Sequence, residues 1–123
     1  TTYFGMRCSD SFNISGGSFK TNGSKGIYPG NAVNISGGKL EASNIDANIN
    51  LSYSNTDDYI KVDNYTSGKT MTIANGQTFT DGTTNYSGTI TNLSPLNGKK
   101  LFPFVYIHLT LRDATCTEVV IKQ

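Results

Sequence analysis

The segment Asn13-Ile14-Ser15-Gly16-Gly17 returns 21 positions later as Asn34-Ile35-Ser36-Gly37-Gly38. Overlaid at that spacing, residues 5–25 and 26–46 share six identities, Gly5 on Gly26 being the sixth. Met6 falls on Ile27, Phe12 on Val33 and Phe19 on Leu40, so apolar positions also keep register. A bias toward small polar residues can produce a stray Ser-Gly-Gly. It does not readily produce five consecutive identities flanked by matched apolar positions. A unit this short cannot bury its own apolar side chains, so a core has to form between stacked units.

The physics of one unit points to strands. Phe12 and Ile14 alternate with Ser11, Asn13 and Ser15, the period of a half-buried strand. Two glycines then break the strand and permit a positive φ at a corner. Phe19 turns inward again, and Asn22-Gly23 is a further turn signal. No window places apolar residues at i, i+3, i+4 and i+7 over ten residues, and glycine and β-branched residues are poor helix formers. The expected fold is therefore all-β: a short right-handed parallel β-helix, or solenoid, with a β-sandwich as the runner-up. Stacking would set Met6 on Ile27, Phe12 on Val33, Ile14 on Ile35 and Phe19 on Leu40.

After residue 46 the repeat loses its register but keeps its style. Ile49 to Tyr53, Tyr59 to Val62, Thr70 to Ile73 and Thr78 to Thr80 read as short strands, with turns at Thr56-Asp57-Asp58, Asn75-Gly76 and Asp81-Gly82. We read residues 1–100 as repeats, with 21-residue units at 5–25 and 26–46 and looser coils beyond. Residues 101–123 contain the most apolar stretch, Phe102 to Leu111, and read as a C-terminal β-hairpin cap or as the start of a further module. Cys8 and Cys116 lie far apart in sequence. A disulfide requires the ends to meet, which a solenoid disfavours, so isolated thiols acting as small hydrophobes are preferred.

The Asn-Ile-Ser-Gly-Gly units resemble the repeats of predicted surface or secreted proteins of gut Bacteroidetes, Prevotella-like ones in particular. Gly76 to Gly82, Tyr86 to Ile90 and Leu96 to Leu101 resemble, in that order, the close of such a repeat region. The likeness spans about residues 5–111. It implies an extracellular β-helix-like module, secreted or at the bacterial cell surface, joined to other domains of a longer chain. It carries no catalytic motif, so it transfers no functional residue.

Composition narrows the function classes. Thr, Asn, Gly and Ser supply 54 of 123 positions, and the net charge is +1 with two arginines. That balance argues against a nucleic-acid partner, which needs a basic face. No apolar run approaches the roughly 20 residues of a membrane-spanning helix. The chain has 36% hydrophobic residues, seven Tyr and six Phe, enough to build a core.

The residues offer little chemistry. Glycoside hydrolysis needs two facing carboxyl groups, and only Asp57, Asp58 and Asp63 cluster. Asp57 and Asp58 are adjacent, so a strand would point them to opposite faces. The only histidine, His108, lies in an alternating apolar strand and reads as structural. Clustered zinc ligands, a nucleophile elbow and a phosphate loop are all missing. We therefore expect no enzyme, no catalytic residue and no metal or other cofactor. Calcium stays open as a weaker alternative, through Asp57, Asp58 and Asp63 or through Asp81 with its turn carbonyls.

Two functions compete. One is a non-catalytic structural or adhesive module that projects other domains or meets a host matrix surface. The other is a carbohydrate-binding module presenting Tyr53, Tyr59 and Tyr65 beside Asp57 and Asp58 to a glycan. The second requires at least two of those tyrosines on one open face. The Thr-x-Thr runs read as a solvated sheet face rather than an ice-binding array, because they do not recur at coil spacing.

Overall fold

A computed structural model describes the backbone of residues 6–21, 26–53, 55–111 and 114–121, and the side chains of residues 7–21, 26–53 and 55–104. The described chain is all-β. In order it forms β1 (Met6–Cys8), β2 (Phe12–Lys20), β3 (Ile27–Pro29), β4 (Val33–Ile45), β5 (Ile49–Leu51), β6 (Tyr59–Tyr65), β7 (Met71–Ile73), β8 (Phe79–Thr80), β9 (Asn85–Tyr86) and β10 (Thr89–Ile90). A 3₁₀ turn at Ser94–Leu96 leads to β11 (Lys100–Pro103), β12 (Val105–Leu111) and β13 (Ala114–Ile121). Strands β1 to β11 form one mixed sheet of 11 strands, and β12 pairs with β13 in a second sheet.

The first half of the sheet is parallel and follows the repeat. Met6 pairs with Ile27. Phe12 pairs with Val33, Ile14 with Ile35 and Phe19 with Leu40. These are the four stackings that the 21-residue spacing predicts. The parallel ladder then continues through Val33 on Ile49 and Ile49 on Met71, Leu40 on Ile60 and Ile45 on Tyr65, and Ile27 on Ile45. Apolar side chains thus stack in rows that run across the strands. Ile27, Val33, Leu40, Ile45, Ile49, Ile60 and Met71 are completely buried, and Ile35, Leu51 and Ile73 nearly so. Burying one such side chain stabilises the fold by about 1.5–3 kcal/mol.

Glycine makes the corners. The long β4 bends at Gly37-Gly38, where Gly38 has φ +98°, and β2 bends at the equivalent Gly16-Gly17, where Gly17 has φ +78°. The β2–β4 register shifts at this corner and resumes beyond it.

The second half differs from the expected looser coils to residue 100. Parallel pairing ends at β7. β10 runs antiparallel on β7, through Ile90 on Met71. β11 runs antiparallel on β6, through Leu101 on Ile60, and on β8, through Pro103 on Phe79. The reason lies in chain length. Residues 74–103 are divided by turns at Gly76, Gly82, Gly88 and Gly98, all with positive φ. The pieces between them are too short for a full coil, so the chain folds back on itself. The strand expected to begin a C-terminal cap hairpin therefore splits. β11 joins the main sheet, while β12 and β13 pair with each other, Val105 on Ile121 and Leu111 on Ala114. The side chains of His108 and Cys116 lie outside the described residues, and with them the readings made of each.

Candidate functional site

The residues chosen for a glycan platform do not share a face. Tyr53 is 2% exposed and packs on Phe79, the ring centroids 5.1 Å apart. Its position follows from alternation: Ile49, Leu51 and Tyr53 share one phase and all point inward. Tyr65, 8% exposed, ends the row that begins with Ile27 and Ile45. The hydroxyls of both tyrosines are buried and have no hydrogen-bond partner among the described residues. Burial first, then the Asp58 charge and Tyr65, holds the Tyr53 phenol far above its ordinary range. Burial does the same for Tyr65. Neither ring can stack on a sugar. The platform expectation is corrected accordingly: both rings belong to the core, Tyr53 against Phe79 and Tyr65 at the end of the Ile27–Ile45 row.

Tyr59 alone reaches the surface, and its environment is charged. Its hydroxyl donates to Glu41 Oε2 at 3.0 Å. Lys100 Nζ stands over its ring, 4.2 Å from the centroid, in a cation–π arrangement. Partial desolvation, then the hydrogen bond to Glu41 and its charge, raises the Tyr59 pKa. The lysine occupies one ring face, so an exposed aromatic plane for a sugar is lost there too.

The acidic residues disperse in the same way. The Asp57 N–H donates to Asn55 Oδ1 at 2.9 Å and the Asp58 N–H to the Asn55 carbonyl at 3.1 Å, which makes residues 55–58 a side-chain-held turn. Asp63 lies 3.6 Å from Lys61 at the surface. Asp81 is held by its own hairpin. Its Oδ1 accepts from the Thr83 and Thr84 amides at 2.8 and 2.7 Å. Its Oδ2 accepts from the Tyr86 hydroxyl at 3.2 Å and lies 3.5 Å from Lys99 Nζ. Desolvation works to raise the Asp81 pKa, but these hydrogen bonds and the Lys99 charge outweigh it, and the net shift is downward. Such a carboxylate has its lone pairs taken by protein donors. Among the described residues, no three of His, Cys, Asp and Glu converge on a site for a metal ion.

The repeat does build one extended surface that single residues did not reveal. Asn34 Nδ2 donates to Asn13 Oδ1 at 2.9 Å, and Asn50 Nδ2 donates to Asn34 Oδ1 at 2.8 Å. The row continues in register to Thr72 and Thr89, whose hydroxyl oxygens are 3.4 Å apart. Ser15, Ser36 and Ser52 lie beside the asparagines, and together they line a shallow groove of about 300 Å³. The signal was present in the sequence, since Asn13 and Asn34 are repeat mates. Asn50 was not visible as the third rung because its spacing is 16 residues rather than 21. The groove's amides spend hydrogen bonds on one another, and it contains no charged group.

Comparison with family models, with curated proteins and with solved structures finds no match to this chain. Among the described residues, no helix is long and apolar enough to cross a membrane.

Proposed function

We propose that the chain is a segment of a right-handed parallel β-solenoid and serves as a non-catalytic structural or adhesive module of a bacterial surface or secreted protein. The observation that carries the reading is the register. Phe12, Val33, Ile49 and Met71 follow one another across four parallel strands, and Ile14, Ile35, Leu51 and Ile73 do the same two residues on. Parallel crossovers within one sheet are almost always right-handed, which supports the hand. A stack of this kind lengthens by adding units, and a polar exterior needs no ligand to be soluble. The scattered acids support the non-catalytic part: Asp63 and Asp81 are paired, while Asp57 and Asp58 sit on a turn. The extracellular location rests on the resemblance of the repeat units alone.

A glycan array with the wild type and Tyr59→Ala tests the reading. The expected result is no glycan bound by either. Binding to a defined glycan that the variant loses would replace the structural role with carbohydrate recognition. Release of sugar from plant or mucin polysaccharides, abolished in Asp58→Asn, would overturn the non-catalytic part.

A further inference from the structure

We propose that the open edge of β2 is the docking site for one more coil of the same 21-residue kind, running parallel to β2 in the same polypeptide, with Gly16 as the seat of its backbone. The inference rests on the solenoid reading above and names the partner that reading requires.

The first observation is a glycine without a local cause. Gly16 and Gly37 hold the same place in successive units, and neither has a positive φ. At Gly37 a Cβ would stand 2.6 Å from the Ser15 carbonyl oxygen. The coil stacked on Gly37 therefore demands glycine. At Gly16 a Cβ would meet no atom of the described residues within 4 Å. Among the described residues neither conformation nor crowding explains Gly16, but a coil placed on it as coil one sits on coil two does.

Three further features point to the same edge. β2 is nine residues long and has β4 as its one ladder neighbour among the described residues. The Phe12 N–H donates to the Ala32 carbonyl at 2.9 Å, so alternation turns the Asn13 N–H and C=O outward. Among the described residues the core is also less covered there. Ile14 is 8% exposed against 1% for Ile35, and Phe12 and Phe19 are half-buried where Val33 and Leu40 are fully buried. Finally, each rung of the amide ladder donates toward the lower-numbered coil. The Asn13 Nδ2 is thus left facing the edge, matched to the Oδ1 of an asparagine arriving in parallel register. A second copy related by two-fold symmetry would bring donor against donor. Strand addition to a sheet edge is an established mode of recognition.

The test is a chain with a second copy of residues 26–46 inserted between Phe4 and Gly5, compared with the 123-residue chain and with a shuffled insert. In the matched chain, hydrogen exchange at the Asn13 amide should slow at least about tenfold. Gly16→Val should leave the melting temperature of the 123-residue chain unchanged or raise it, because the unfolded chain loses freedom. The same substitution should lower it by several degrees in the matched chain, as Gly37→Val should in both. Unchanged Asn13 exchange, a harmless Gly16→Val in both chains, or unfolding of the matched chain while the shuffled one folds would each overturn the proposal. So would a dimer of the 123-residue chain that the added coil abolishes, since that assigns the edge to a second copy. None of these outcomes depends on glycan binding, so the edge and the functional reading fail separately.

Discussion

The two ends of the stack solve the same problem differently. At the high-numbered end, β10 and β11 lie antiparallel on β7 and β6, and Phe79, Leu93, Leu96, Leu101 and Phe102 bury themselves beneath the turns. The outer strands left there, β9 and β10, are two residues long, which is too short to template further pairing. At the low-numbered end the outer strands among the described residues are the short β1 and the long β2, which carries two half-buried phenylalanines. Among the described residues the same apolar pattern is thus sealed at one end and open at the other. Repeat identity sets how the middle stacks, but it is the departure from the repeat that ends the stack.

The largest expected effect contrasts equivalent core positions. Leu40→Ala removes a fully buried side chain on β4, between β2 and β6, and should cost about 3 kcal/mol. Phe19→Ala, at the paired position on β2, should cost clearly less in urea denaturation although phenylalanine is larger. Equal losses would mean that β2 is covered as well as β4. At the closed end, Asp81→Ala should cost about 2 kcal/mol, because it removes charge-assisted bonds to two amides and a hydroxyl. The pH dependence has a definite sign. The folded-state pKa of Asp81 lies below its ordinary 3.8, so its contribution is present above that value and is lost as pH falls through the lowered one. Melting curves from pH 5 to pH 2 should fall less steeply for Asp81→Asn than for the wild type. Along the ladder, Asn34→Ala breaks two amide bonds and Asn13→Ala one. We expect about 1 kcal/mol for the first and about half that for the second. The smallest effect is at Tyr53, where Tyr53→Phe deletes a buried hydroxyl without a described partner and should leave stability equal or slightly higher.

The parallel half was readable because Phe12, Ile14 and Phe19 have repeat mates, and register follows from spacing. The antiparallel closure was not, because strands of two residues such as Phe79–Thr80 and Thr89–Ile90 carry no period. The candidate site fared unevenly for similar reasons. The burial of Tyr53 was legible in the alternation of Ile49 and Leu51. That of Tyr65 was not: Ile60 and Val62 point inward, and the phase slips by one before Tyr65, where Asp63 and Asn64 are both exposed. Asp81 could be read as a turn residue, but the Lys99 and Tyr86 partners that hold its carboxylate come from elements with no periodic signal.

Register offsets also carry a kinetic meaning. Successive parallel pairings close loops of 21 residues between Phe12 and Val33, 16 between Val33 and Ile49, and 22 between Ile49 and Met71. Loop-closure entropy grows with the logarithm of length, so each of these steps costs nearly the same. Bringing Leu101 onto Ile60 spans 101 − 60, or 41 residues, about twice a coil. By the same relation it adds only about 0.6 kcal/mol. Folding can therefore begin at any parallel pair and spread by near-equal steps, with β11 on β6 as the one longer closure. A longer stack of such strands would need no new kind of step, only more of the same one.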